Sequence, residues 1–311
     1  MGLFTTVCKY DDFFTDWYRK WAVALHQEPP DFDAYRPDRL LHRKLWEWNV
    51  ISHVLDENGM LAPGRKGLGF AVGREPLVSL FAASGVEILA TDLPTEVKAA
   101  NTLPASAWAA TGQHSASLEA LHHADLIDRE SFNARVRFRP VNMRRLDLPW
   151  DETFDFLWSS CSIEHLGSLW EGTAFVKRAM CLLKPGGIAV HTTEFNVSSN
   201  GDTLTKGPSV IFRRRDLEQL DYDLRQIRCG LGQGDFFAGD QPADIEFDND
   251  PWGEAGKEKF VHIKLMLGGY ICTSIVLTIR KGADAPQRSA ASRRLPRFVR
   301  GWQRALARLG A

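Results

Sequence analysis

Residues 154–193 constrain the fold more than any other stretch of this chain. FDFLWSS (154–160) is a short run apolar on both faces, the pattern of a strand covered on both sides of a sheet. A helix is predicted over 168–184, stopped by Pro185-Gly186-Gly187. Proline cannot continue a helix, and glycine takes the left-handed conformation at its end. IAVHTT (188–193) is the next strand. A strand, a crossover helix and a second strand imply parallel pairing with a right-handed connection.

The rest of the middle alternates in the same way. Strands are expected at 66–71, 86–92, 136–143, 224–229 and 271–281, with a helix over 74–84 closed by Gly85. Residues 1–62 read mostly as helix: Leu45, Trp48, Ile51, Val54 and Leu55 recur at helical spacing. Trp46 and Trp48 are read as packing rather than ligand contact. The organisation expected is a helical N-terminal extension (1–62), an α/β domain (63–281) with insertions at 95–135 and 231–270, and a linker with a basic helix (282–311).

The formal net charge over 311 residues is −1, which argues against nucleic acid as a partner. The five cysteines are scattered, with no CxxC pair, so neither a disulfide framework nor a thiolate zinc site is expected. The first residues lack the apolar core of a signal peptide, and no run of 18 apolar residues occurs. A cytoplasmic protein is expected. Met1-Gly2 with Thr6 matches the loose myristoylation pattern, which is short enough to arise by chance.

GLGFAVGREPL (67–77) runs from a strand through a tight turn into a helix. A dinucleotide loop wants G-x-G-x-x-G, and Val72 stands where its third glycine belongs, which counts against NAD or FAD. With Leu-Lys-Pro-Gly-Gly after the fourth strand, the chain resembles the class I S-adenosylmethionine-dependent methyltransferases over about residues 60–280. In that family the loop is acidic-x-G-x-G-x-G. Here Gly69 and Gly73 match the outer glycines, Ala71 replaces the middle one and Gly67 replaces the acid.

The resemblance implies a seven-stranded sheet, mostly parallel, with helices on both faces and the last strand (271–281) antiparallel beside the fifth. It implies S-adenosylmethionine as cofactor, held by Gly67, Gly69, Ala71 and Gly73. Asp92, with Leu93 beside it, would take the two ribose hydroxyls, Asn142 and Met143 would meet the adenine, and Ser159 and Cys161 would close the site.

For the methyl acceptor, the candidates follow the fourth and fifth strands. His165 is the first choice of general base, with Glu194 the second, as base or substrate orienter. For His165 the competing reading is a helix cap, and for Glu194 a salt bridge to a nearby arginine. Glu164, His191, His114 and His262 complete the substrate-side set. Some family members carry E-x-x-E-H here and bind a divalent metal; Cys161 stands in place of the first Glu, so no metal is favoured. The acidic and aromatic loop at 231–262 suits a lid over a polar ring. The expected reaction is O-methylation of a sugar, glycan or other polar hydroxylated small molecule. The alternatives are methylation of a nitrogen in a small metabolite, and a degenerate, non-catalytic scaffold with this fold at the membrane surface.

On a helix over 293–309, Phe298, Trp302, Leu306 and Leu309 share one side, and Arg297, Arg300, Arg304 and Arg308 the other. Peripheral contact with an anionic inner-membrane surface is one reading, and a docked terminal helix the other.

Overall fold

The structure is a computed structural model describing residues 3–27, 41–93, 117–146, 153–248 and 261–282. His114, most of the first insertion, and the linker and basic helix after Gly282 lie outside the described residues.

The chain opens with a strand, β1 (Phe4–Val7), then helix α1 (Asp16–Ala24), the short β2 (Leu41–His42) and helix α2 (Arg43–Glu57). The alternating part follows as β3 (Lys66–Gly69), α3 (Leu77–Ala83), β4 (Glu87–Asp92), α4 (Arg129–Arg135), β5 (Val136–Pro140), β6 (Phe154–Ser159), α5 (Leu169–Ala179) and β7 (Leu183–Asn196). The last third holds α6 (Arg214–Arg225), β8 (Cys229–Leu231), β9 (Gln233–Asp235), α7 (Pro242–Ile245), β10 (Val261–His262), β11 (Leu265–Leu267) and β12 (Tyr270–Lys281).

The main sheet has the order β5-β4-β3-β6-β7-β12-β1-β9. Strands β5 to β7 are parallel, and β12 lies antiparallel against β7 from Cys272↔Asn196 to Arg280↔Ile188. The outer edge of β12 is tiled by three short strands: β11 at 270–272, β1 at 275–276 and β8 at 279–281. The expected arrangement is therefore present, in a sheet longer than seven strands. It has the features that the resemblance to class I methyltransferases implies: a central parallel sheet, helices on both faces and an antiparallel last strand.

Three sequence-based expectations need correction. Residues 224–229 were expected as a strand, but α6 continues to Arg225 because Leu217, Leu220 and Leu224 bury one helical face; only Cys229–Leu231 is extended. The N-terminal segment is not simply helical, since β1 is part of the sheet. Leu183–Asn196 is one extended run that includes Lys-Pro-Gly-Gly, with an irregular step opposite Phe154 and Phe156.

Every residue of β6 is buried. Phe156 and Trp158 face one core with α2 and α3, and Leu157 faces the other with α5 and α6. Asp155 is tolerated because Lys66 N (2.9 Å), Lys184 Nζ (2.8 Å) and Arg65 Nη1 (3.1 Å) all donate to its carboxylate. The Phe156 and Trp158 rings lean across β3, where a Cβ on Gly67 would stand 2.4 Å from Phe156 Cζ and one on Gly69 2.4 Å from Trp158 Cζ2. These glycines thus make room for aromatic rings within the sheet.

Candidate functional site

The C-terminal ends of β3, β4 and β6 meet at one edge of the sheet, the position where open α/β sheets bind ligands. After β3 the chain turns sharply, with Ala71 (φ +48°) and Gly73 (φ +54°) in the left-handed region. Only Gly73 adopts that region without a Cβ penalty. The turn is tied to both neighbouring strands: Phe70 N donates to Trp158 O (2.9 Å) and Val72 N to Thr91 O (3.1 Å). Cys161, just after β6, is a second non-glycine residue in the left-handed region (φ +40°). Such strained positions concentrate at functional sites.

Asp92 ends β4 against this turn and is buried. Gly73 N donates to its Oδ2 (3.2 Å) and Leu93 N to its Oδ1 (2.7 Å). A carboxylate oxygen has two lone pairs, so one amide bond to each oxygen does not exhaust it. Asn142 caps the turn after β5 by accepting from Arg144 N (3.0 Å), with Met143 buried behind it.

Beside the crevice, α2 lays a charged patch over the ends of β6, β7 and β12. Its centre is Glu47, which the sequence reading did not single out. This fully buried carboxylate accepts from Cys161 Sγ (2.9 Å), Ser160 Oγ (2.9 Å), Thr192 Oγ1 (3.1 Å) and Ser274 Oγ, and pairs with Lys44 (3.2 Å) and Arg43 (3.4 Å). Burial alone would raise its pKa; Lys44 and Arg43 outweigh that and hold it at about 2. The available signal was Arg43-Lys44-x-x-Glu47 in the first turn of a helix, but such a cluster also fits a solvated face.

Arg43 joins Glu47 to the substrate-side residues. Its Nη2 lies 2.7 Å from Glu194 Oε1 and its Nη1 3.6 Å from Cys161 Sγ. Glu194 is therefore held in a buried ion pair. Glu164 is fully buried, with Oε2 accepting from Thr193 Oγ1 (3.1 Å). Burial raises its pKa, His165 opposes the rise and Glu194 adds to it. Glu164 Oε1 and Glu194 Oε2 are buried without a hydrogen-bond partner.

His165 donates Nδ1–H to Pro208 O (2.8 Å), which fixes the tautomer and makes Nε2 the basic nitrogen, 4.0 Å from Glu164 Oε1. His262 bonds Asp248 (2.8 Å) and packs its ring on His42 at 4.7 Å, at the rim of the patch. His191 and Ser159 bond each other inside the sheet (2.8 Å), and burial lowers the His191 pKa to about 4. The structure thus gathers Cys161, Glu164, His165, Glu194 and His262 around Arg43 and Glu47, and keeps His191 and Ser159 interior. Trp46 is core, with its Nε1 bonded to Asp12 Oδ2 (2.8 Å).

Donor atoms of Cys161, Glu164 and Glu194 lie within 4.8 Å of one another. They fit a metal poorly, because Arg43 already places a positive charge between Cys161 and Glu194 and burial keeps the Cys161 thiol protonated.

No protein-family model matches the sequence, and no curated protein matches it. Solved structures do resemble the fold. A sarcosine dimethylglycine methyltransferase from Galdieria sulphuraria, described as putative, is 10% identical over 86% of this chain and 99% of its own, with TM-score 0.45. The 1,6-didemethyltoxoflavin N1-methyltransferase of Burkholderia thailandensis is 15% identical over 89% and 92%, with TM-score 0.42. The [4+2]-cyclase SpnF is 19% identical over 58% of this chain, with TM-score 0.41, and the chain spans only 57% of its length. These likenesses are too distant to carry an argument about activity.

Proposed function

We propose that this chain is an S-adenosylmethionine-dependent methyltransferase acting on a hydroxyl of a sugar or another polar hydroxylated small molecule. The observation that carries the reading is Asp92, a buried carboxylate held at the lip of the β3 turn by the Gly73 and Leu93 amides. That pairing suits a nucleoside with a vicinal diol. When bound, the cofactor supplies a methyl group already activated on a sulfonium.

The chain's residues then align the acceptor and take its proton. His165 Nε2 would take the proton of the acceptor hydroxyl. Nδ1–H stays on the Pro208 carbonyl, and the imidazolium so formed faces Glu164. The unpartnered oxygens of Glu164 and Glu194 would accept from neighbouring hydroxyls of the acceptor. Glu194, paired with Arg43, would orient the acceptor.

The test is formation of S-adenosylhomocysteine with a panel of hydroxylated acceptors, for wild type and His165→Asn. The variant should lose about 10²- to 10⁴-fold in kcat while binding the cofactor unchanged. Full turnover by His165→Asn, or transfer only to amines, would overturn the assignment.

A further inference from the structure

We infer that Lys44 and Glu75 form a binding site for an α-amino acid zwitterion, holding the amino-acid end of the nucleoside cofactor; the inference rests on the proposed use of S-adenosylmethionine. It begins from what Gly67 cannot do. The space a side chain would need there is filled by Phe156, whose Cζ and Cε2 would lie 2.4 and 2.6 Å from a Cβ. No carboxylate fits inside β3, so an ammonium group must be met from elsewhere.

Glu75 is two residues beyond the left-handed Gly73, with its backbone N–H bonded to Val72 O (3.2 Å). One carboxylate oxygen, Oε1, pairs with Lys44 Nζ (3.4 Å), while Oε2 is buried without a hydrogen-bond partner. Lys44 also reaches Ser160 Oγ (3.2 Å), just past β6, and Glu47 Oε2 (3.2 Å). An orphaned buried oxygen costs free energy until a donor satisfies it, and an ammonium is such a donor. The lysine beside it supplies the complementary charge for a carboxylate. Burial lifts Glu75 to about 7; Lys44 opposes the rise, as do the Trp48 and Ser160 side chains, which stand near the carboxylate but form no hydrogen bond to Oε2, and Glu47 adds to it. That is the behaviour of a carboxyl short of positive charge.

The layout matches the ligand. Asp92 ends β4, the turn follows β3, and Ser160 follows β6, so the diol site and the charged pair lie on opposite sides of the turn. Adjacent strands are about 4.8 Å apart, which separates the two sites by about 10 Å along the sheet edge. An extended chain from a ribose through sulfur to an α-carbon would span that separation.

The test compares S-adenosylhomocysteine with 5′-methylthioadenosine, which keeps the nucleoside and thioether but lacks the amino acid, on the full chain. Wild type should bind S-adenosylhomocysteine about tenfold more tightly or better, and Glu75→Gln should remove most of that advantage while changing 5′-methylthioadenosine binding little. Equal affinity of wild type for the two ligands, which requires no variant, would overturn the zwitterion site alone. So would a Glu75→Gln variant that keeps the full preference. If wild type binds neither nucleoside, the cofactor reading fails and this site with it.

Discussion

Glu47 is the residue on which the roofed side of the site depends. Its carboxylate is the shared partner of Arg43, Lys44, Ser160, Cys161, Thr192 and Ser274, which come from α2, the turn after β6, β7 and β12. Replacing it by alanine leaves two half-buried cations, Arg43 and Lys44, with one counter-charge fewer and several buried hydroxyl and thiol donors without their acceptor, a loss of about 3–5 kcal/mol. Urea unfolding of Glu47→Ala at neutral pH should show a drop of that size; a drop below about 1 kcal/mol would mean that the patch tolerates its absence. The pKa of about 2 is depressed from 4.5, so Glu47's contribution is complete above about 4.5 and is lost as pH falls towards 2. Little of this was legible in the sequence, because a glutamate four residues after an arginine has the same spelling on a wet face as under a lid. Asp92, by contrast, was expected at the crevice because the resemblance to class I methyltransferases implies an acid at the end of that strand.

At the scale of elements, the βαβ core was legible because its signals are local. An apolar run, a Pro-Gly-Gly stop and a second apolar run specify β6, α5 and β7 without distant partners. β1 was not legible, since four residues, Phe-Thr-Thr-Val, become a strand only by pairing with β12 and β9, more than 220 residues away. The glycines at 67 and 69 carried two meanings that the sequence could not separate. The structure ties both to the rings of Phe156 and Trp158 on the adjacent strand. Gly69→Ala should therefore destabilise by about 1–3 kcal/mol or more through overpacking, with or without cofactor. If instead the folded stability is unchanged and only cofactor affinity falls, packing is not what requires the glycine.

Across the whole molecule, buried titratable groups pull in opposite directions. Burial lowers His42 to about 3 and His191 to about 4, so the stability they permit is full above 6.5 and is lost on acidification. Burial raises Asp12 to about 6 and Glu75 to about 7, so their contributions are greatest at low pH and are lost as pH rises from about 4 towards 7. The sum should be a flat stability profile between pH 4 and 7, and single variants should tilt it. Relative to wild type, His191→Asn should gain about 3 kcal/mol between pH 7 and 4, the equivalent of the fall from 6.5 to about 4. Parallel profiles for the two proteins would mean that His191 protonates in place without penalty. Because Arg43 supplies the positive charge at Cys161 and Glu194, chelation of divalent metal should leave turnover unchanged; loss on chelation with recovery on metal addition would put a cation where Arg43 is assigned the role. Among the described residues no helix is long and apolar enough to cross a membrane.

The most direct test is calorimetric titration of S-adenosylmethionine and S-adenosylhomocysteine into wild type and Asp92→Ala. Wild type should bind both, and the variant, with the diol partner gone from the lip of the turn, should bind each at least about tenfold more weakly while its thermal unfolding stays cooperative. A folded wild type that binds neither would leave this as a methyltransferase-like scaffold without the cofactor, and equal binding by the variant would take Asp92 out of the site.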